Sequence, residues 1–107
     1  MLTIIIPCYN EKKTIAKIIK KVKQQKINKQ IIVIDDCSND GTKEILKNLS
    51  LKVDKIFYHK KNSGKGACIR TGLEHVTGEI VIIQDADLEY DPKDYKKLIK
   101  PINDFKA

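Results

Sequence analysis

The chain has 107 residues, room for one small domain and not for two, and 41% of them are hydrophobic, enough for a real core. Its formal net charge is +7, from 21 Lys and Arg of which only Arg70 is arginine; no patch interleaves arginine with aromatics, so nucleic acid is not an expected partner, while attraction to anionic membranes or substrates stays open. No apolar run approaches the roughly 18–20 residues that span a bilayer, and the three scattered cysteines, Cys8, Cys37 and Cys68, form neither a disulfide framework nor a CxxC site, which points to a reduced cytoplasmic setting.

Thr3-Ile4-Ile5-Ile6 is β-branched and reads as a brief first strand ended by Pro7, not as a signal peptide. Residues 11–26 carry Ile15, Ile18, Ile19 and Val22 at helical spacing with lysines on the other face, and Asn10 stands where an N-cap belongs. Gln30 to Ile34 is a second apolar strand, stopped by Asp35-Asp36. The loop 35–42 leads into a helix with Ile45, Leu46 and Leu49 inward, where Asp40 or Thr42 is expected to cap. Val53 to Tyr58 reads as a third strand and 59–66 as a loop. Ala67 to Val76 reads as a third helix, with Gly78 as its C′ residue. Glu79 to Gln84 is the fourth strand. Asp91-Pro92 then opens a last helix, with Asp91 as N-cap and Tyr95, Leu98, Ile99 and Ile102 facing inward.

The order βαβαβαβα, with strands that lack polar alternation, predicts an α/β fold: an open, doubly wound, mainly parallel sheet with helices on both faces. Ligands of such sheets bind beyond the carboxyl ends of the strands. Pro7-Cys8-Tyr9-Asn10-Glu11, Asp35-Asp36 and Asp85-Ala86-Asp87 each follow a strand directly and converge on that rim.

Alternate residues of an extended segment project the same way. Asp85, Asp87 and Glu89 therefore repel one another unless a cation joins them, and Mg2+ or Mn2+ with oxygen ligands suits that role. The bland alternative is a solvated turn, which fits Asp91 better than Asp85 and Asp87. Asp36 is the candidate for contact with a base or ribose, with Asp35 as its support; helix capping is the competing use. Tyr9 could lie against a base and Glu11 bond a nucleotide, or both could pack and cap. Lys65 and Arg70 could steady phosphates or brace the acids. The loop at 62–66 is not a Walker A loop, and no GxGxxG follows the first strand. His59 and His75 do not form a metal pair, and the cysteines read as small apolar fillers with no histidine nearby.

IIIPCYNE at 4–11, IIVIDDCSNDGT at 31–42, KKNSGKGACIRTG at 60–72 and GEIVIIQDADLEYDP at 78–92 together resemble the nucleotide-sugar half of family 2 inverting glycosyltransferases, nearest to the polyprenyl-phosphate sugar transferases of the dolichol-phosphate mannose synthase type. The resemblance implies a GT-A fold and a UDP- or GDP-sugar donor. It matches Pro7, Tyr9, Glu11, Ile34 and Asp36 to positions around the base and ribose, Lys65 and Arg70 to basic positions near the donor, and Asp85, Asp87 and Glu89 to metal-binding acids. It also implies in-line displacement at the anomeric carbon toward a polyprenyl phosphate, at the inner face of a membrane to which the protein is peripheral.

Family catalytic domains continue for roughly another hundred residues. The expectation is therefore one domain over 1–107, the donor-binding part, cut short before the acceptor site and any catalytic base, with the fourth strand left at an exposed edge. A nucleotide-sugar-binding module without turnover, completed by a second chain or an oligomer, is the alternative. A receiver-like phosphotransfer domain would place its acid pair after the first strand, where this chain has Pro-Cys-Tyr-Asn.

Overall fold

Isoleucine-rich runs set the sheet. The computed structural model describes residues 1–86 and 100–101. Leu2–Cys8 (β1), Lys29–Asp35 (β2), Lys55–Tyr58 (β3) and Ile80–Ile83 (β4) lie parallel in the order β3-β2-β1-β4, and Lys100–Pro101 (β5) adds antiparallel to β4. The helices are Ile15–Gln24 (α1), Thr42–Asn48 (α2) and Lys65–Leu73 (α3).

Period-two alternation sends side chains to both faces. Leu2, Ile4, Ile6, Ile31, Val33 and Ile82 pack on one face with Ile15, Ile18, Ile19 and Val22 of α1 and Leu46 of α2. Ile5, Ile32, Ile34 and Val81 pack on the other with Cys68 of α3. Helices thus cover both faces, which is why these strands lack polar alternation.

Several boundaries differ from the sequence reading, each for a local reason. β1 runs through Pro7 to Cys8, with Pro7 opposite Ile34 and Cys8 opposite Asp35. The missing N–H costs nothing there. The Ile5 carbonyl accepts from Gln84 on the β4 side, so Pro7, two residues on, faces the same side, and the β1–β4 pairing ends at Ile5–Ile83.

α1 begins at Ile15, not at residue 11, and Asn10 is not its cap. Asn10 is left-handed, with φ 53°. Its N–H donates to Ser38 Oγ at 2.9 Å, and its Oδ1 accepts from the Asn39 N–H at 2.8 Å, so it clamps two loops together. α3 spans Lys65–Leu73, earlier than expected, and Gly78 is not its left-handed cap. A Cβ at Gly78 would lie 2.0 Å from the Met1 carbonyl oxygen, so close backbone approach is what demands glycine.

β3 starts at Lys55, later than expected; just before it the Asp54 side chain, not a strand carbonyl, accepts from the Ile31 N–H at 2.6 Å. The fourth strand is not a bare edge. β5 pairs Lys100 with Val81 and Pro101 with Ile80, so residues 100–101 are strand where the last helix was expected to continue. Its start at Asp91-Pro92 and its inner face lie outside the described residues.

Gly72 lets α3 lie close against β1. A Cβ there would meet three side-chain carbons of Ile5 at 2.8–3.0 Å. Gly72→Ala should destabilise the fold by about 1–3 kcal/mol through overpacking, read as a lower urea midpoint; an unchanged midpoint would show that Ile5 can turn aside freely.

Candidate functional site

β2 ends in two buried aspartates, and both are satisfied by the loops above them. Asp35 Oδ2 accepts from the Ser38 N–H at 3.0 Å, and Oδ1 accepts from the Ser38 hydroxyl; Asp35 thus braces the loop that follows it. Asp36 Oδ1 accepts from the Ser63 N–H at 2.9 Å and faces His59 Nδ1 at 2.9 Å, and Oδ2 accepts from the Gly64 N–H at 2.8 Å. Gly64 has φ +92°, a backbone shape suited to glycine, and it turns the chain from this anchor into α3.

Burial pushes the Asp36 carboxyl upward, but the Ser63 N–H, His59 and the Gly64 N–H outweigh it and hold the carboxyl below its ordinary value of 3.8. Asp40 shows the same balance at the next helix. Desolvation raises its carboxyl, but Thr42 and the Lys12 N–H outweigh it and lower it; Gly41, not Asp40 or Thr42, is the N-cap of α2, and Asp40, one residue before, accepts from the Thr42 N–H at 3.0 Å.

His59 is the residue the sequence reading passed over. It follows β3 directly, as Asp36 follows β2, and that position at a strand's carboxyl end was the available signal. Its Nε2 lies 2.8 Å from Thr71 Oγ1, and its Nδ1 lies 3.9 Å from Cys68 Sγ. A histidine does therefore stand beside a cysteine, contrary to expectation. Burial, then the charge of Asp36, push the Cys68 thiol up to about 12, so it is no nucleophile at neutral pH. His75 instead stacks on Phe57, with ring centroids 4.2 Å apart.

Asp85 follows β4 and pairs with Lys65, Nζ to Oδ1 2.6 Å. A loop acid and the first residue of α3 thus meet across the end of the sheet. Thr14 Oγ1 joins the entry to α1 to the Ala86 carbonyl on the same side. Between these groups lies a cleft of about 110 Å3 lined by Pro7, Cys8, Tyr9, Asp36, Lys65, Cys68 and Asp85.

Pro7, Tyr9, Asp36, Lys65 and Asp85 therefore share one cleft, while Glu11, Ile34 and Arg70 do not line it. Glu11 Oε2 accepts from the Thr14 hydroxyl at 3.1 Å and does not line the cleft. Ile34 is fully buried with Ile5, Ile32 and Cys68, so its side chain is core and offers no surface to a ligand. Arg70 is exposed on α3, outside the cleft lining. Asp87 and Glu89 lie outside the described residues.

A glycosyl transferase family 2 model matches residues 3–107. The chain belongs to glycosyl transferase family 2. Among similar proteins of this kind are a dolichyl-phosphate beta-glucosyltransferase of Trichomonas vaginalis, 32% identical over 95% of this chain and 37% of its own length, and a dolichol-phosphate mannosyltransferase of Pyrococcus furiosus, 32% identical over 94% of this chain and 29% of its own. The chain spans about a third of the length of these relatives.

Two solved structures have the same fold. One is a mannosyltransferase of Pyrobaculum calidifontis in complex with GDP-Man and Mn2+, with TM-score 0.79 and 28% identity over 91% of this chain and 30% of that one. The other is TarS 1-349 of S. aureus in complex with UDP-GlcNAc, with TM-score 0.77 and 27% identity over 90% of this chain and 29% of that one. The architecture is the nucleotide-binding half of a GT-A fold, as the family 2 motifs imply.

Two outcomes follow from the buried groups. A carboxyl held below 3.8 stabilises the fold above that pH and loses its contribution as pH falls through the lowered value. Asp36→Asn should cost roughly 1–3 kcal/mol at neutral pH and lose less stability than the parent on acidification below 3.8, measured by urea unfolding at both pH values; parallel pH profiles would refute the anchoring role. In native protein at neutral pH, iodoacetamide should label partly exposed Cys37 well before buried Cys8 and Cys68, as read by peptide mass mapping.

Proposed function

We propose that this chain is the donor-binding part of a metal-dependent family 2 glycosyltransferase that takes a UDP- or GDP-sugar and passes the sugar to a polyprenyl phosphate at a membrane surface. One observation carries the reading: Tyr9, Asp36, Lys65 and Asp85 line a single cleft at the carboxyl ends of β1, β2 and β4. That is the rim where open α/β sheets bind ligands. The relatives named for dolichyl-phosphate sugar transfer, and the neighbours holding GDP-Man with Mn2+ or UDP-GlcNAc, support the substrate classes.

Each residue then has a task. The Tyr9 ring, 43% exposed, offers a face to the base. Asp36, fixed by three loop groups, keeps lone pairs for a base or ribose donor. Pro7 shapes the wall, Ile34 lies in the core beneath, and Glu11, which does not line the cleft, is matched to the nucleotide by family resemblance alone. Lys65 stands in the cleft for the donor phosphates, while Arg70, outside the cleft lining, is matched to them by family resemblance alone.

Asp85, with Asp87 and Glu89 by family resemblance, would hold Mg2+ or Mn2+. The donor set fits a cation, since the Asp85 carboxylate already binds the Lys65 ammonium at 2.6 Å. The ion would neutralise the leaving diphosphate. Lys65 holds Asp85 until a donor arrives, and then turns to the phosphates.

Acceptor recognition is assigned to the rest of a longer protein or to a second chain. Among the described residues no helix is long and apolar enough to cross a membrane, so attachment at the inner face of a cytoplasmic membrane would be peripheral for this part. A second reading, binding of a nucleotide sugar without turnover by this chain alone, is favoured by its spanning about a third of its relatives' length.

Calorimetry with UDP and GDP tests the reading. One nucleotide should bind more tightly with Mn2+ than without, Asp36→Ala should weaken it at least tenfold, and Asp85→Asn should erase the metal dependence. Lys65→Ala should tighten Mn2+ binding without nucleotide by up to about fivefold, the range of a partly exposed ion pair. A folded chain that binds neither nucleotide sinks both readings; sugar transfer to a polyprenyl phosphate decides between them.

A further inference from the structure

We propose that Asp36, His59 and Cys68 form a second cation site, for a borderline-soft divalent ion of the Zn2+ class, at the base of the cleft and separate from the acids after β4.

The hydrogen bonds around His59 lead there. The Thr71 hydroxyl proton goes to the Ala67 carbonyl at 3.1 Å. Thr71 Oγ1 can then only accept from His59, which places a proton on Nε2. The other ring nitrogen, Nδ1, faces Asp36 Oδ1 at 2.9 Å. A bare lone pair against a carboxylate oxygen is repulsive, so that contact needs positive charge between the two atoms. A proton can supply it, and so can a metal ion.

The third group selects the metal. Cys68 Sγ lies 3.9 Å from the same Nδ1, and one ligand atom from each of Asp36, His59 and Cys68 lies within 4.8 Å of the others. Tetrahedral zinc ligands at usual bond lengths stand about 3.3–3.8 Å apart, so small side-chain shifts suffice. A thiolate, an imidazole and a carboxylate suit Zn2+ far better than Mg2+.

The Nε2–H to Thr71 bond is the outer support that metal-bound histidines usually have, orienting the ring and leaving Nδ1 for the ion. On binding, the proton between His59 Nδ1 and Asp36 and the proton of the Cys68 thiol both leave to solvent, and Sγ becomes the third ligand. The fourth position opens toward the cleft, because Asp36 and Cys68 both line it. A consequence rests on the donor reading: ion and nucleotide contest Asp36, so zinc opposes donor binding where Mn2+ at Asp85 favours it.

Cobalt titration of the whole chain tests the site. One equivalent of Co2+ should produce a near-ultraviolet thiolate charge-transfer band and intense visible bands of a tetrahedral ion. Cys68→Ala and His59→Gln should lose the thiolate band and weaken competing Zn2+ at least tenfold. Cys8→Ala, Cys37→Ala and Asp85→Asn should keep it. Should Cys68→Ala lose its helical circular dichroism, Cys68→Ser, close to it in volume, reads the same loss. No thiolate band in the parent, or a band that survives removal of Cys68 or disappears with Asp85→Asn, overturns the site. Saturating Zn2+ should weaken UDP or GDP binding at least tenfold in the parent and not in Cys68→Ala. Unchanged affinity in a chain that binds nucleotide overturns the competition. A chain that binds no nucleotide overturns the donor reading and leaves the cobalt result standing.

Discussion

Two carboxylates buried side by side at the end of β2 govern this molecule. A buried acid must be given donors, or its burial costs more than a small fold can bear. Asp35 draws on Ser38 of its own loop, while Asp36 draws on His59, Ser63 and Gly64 from the loop between β3 and α3. Ser38 also accepts from Asn10, so the loop after β1 joins the same assembly. Solvating two aspartates thus ties the loops after β1, β2 and β3 into one rim. The cleft takes its shape from that requirement.

Much of the fold was legible because uninterrupted isoleucine runs admit few arrangements. Strands apolar on both sides need helices on both faces, and alternating strands and helices need parallel crossovers. What escaped depended on distant partners. Asn10 has cap chemistry, but Ser38 and Asn39 claim it. Gly78 has cap position, but Met1 lies where a side chain would go. The rim was legible at Asp36 and Asp85, each placed at a strand end. A bracing role for Lys65 among the acids was legible too, and Asp85 is the acid it meets; the pairing of His59 with Asp36 was not, since it does not follow from local spacing. Ile34 shows the reverse limit: its place in a motif says nothing of where its side chain points, and the core takes it.

The family's scaffold does not choose the base. Two solved neighbours of nearly equal structural similarity hold different nucleotides, GDP-Man in one and UDP-GlcNAc in the other. Function resides in the few side chains grafted on the rim. The rim of this chain carries a half-exposed tyrosine, an anchored aspartate and a lysine–aspartate pair. Among the described residues, Lys65 is the lysine that lines the cleft and meets Asp85, and the lysines of α1 lie away from it.

Pro7 gives the cleft a property that no loop could. β1 outruns its pairing with β4, and the backbone beyond Ile5 would ordinarily present a hydrogen-bond donor to any extended peptide lying alongside. Proline offers none, and its ring stands in the way. A strand laid beside β1 at this point would lack the hydrogen bond that Pro7 cannot donate, so pairing there is disfavoured whatever chain offers it.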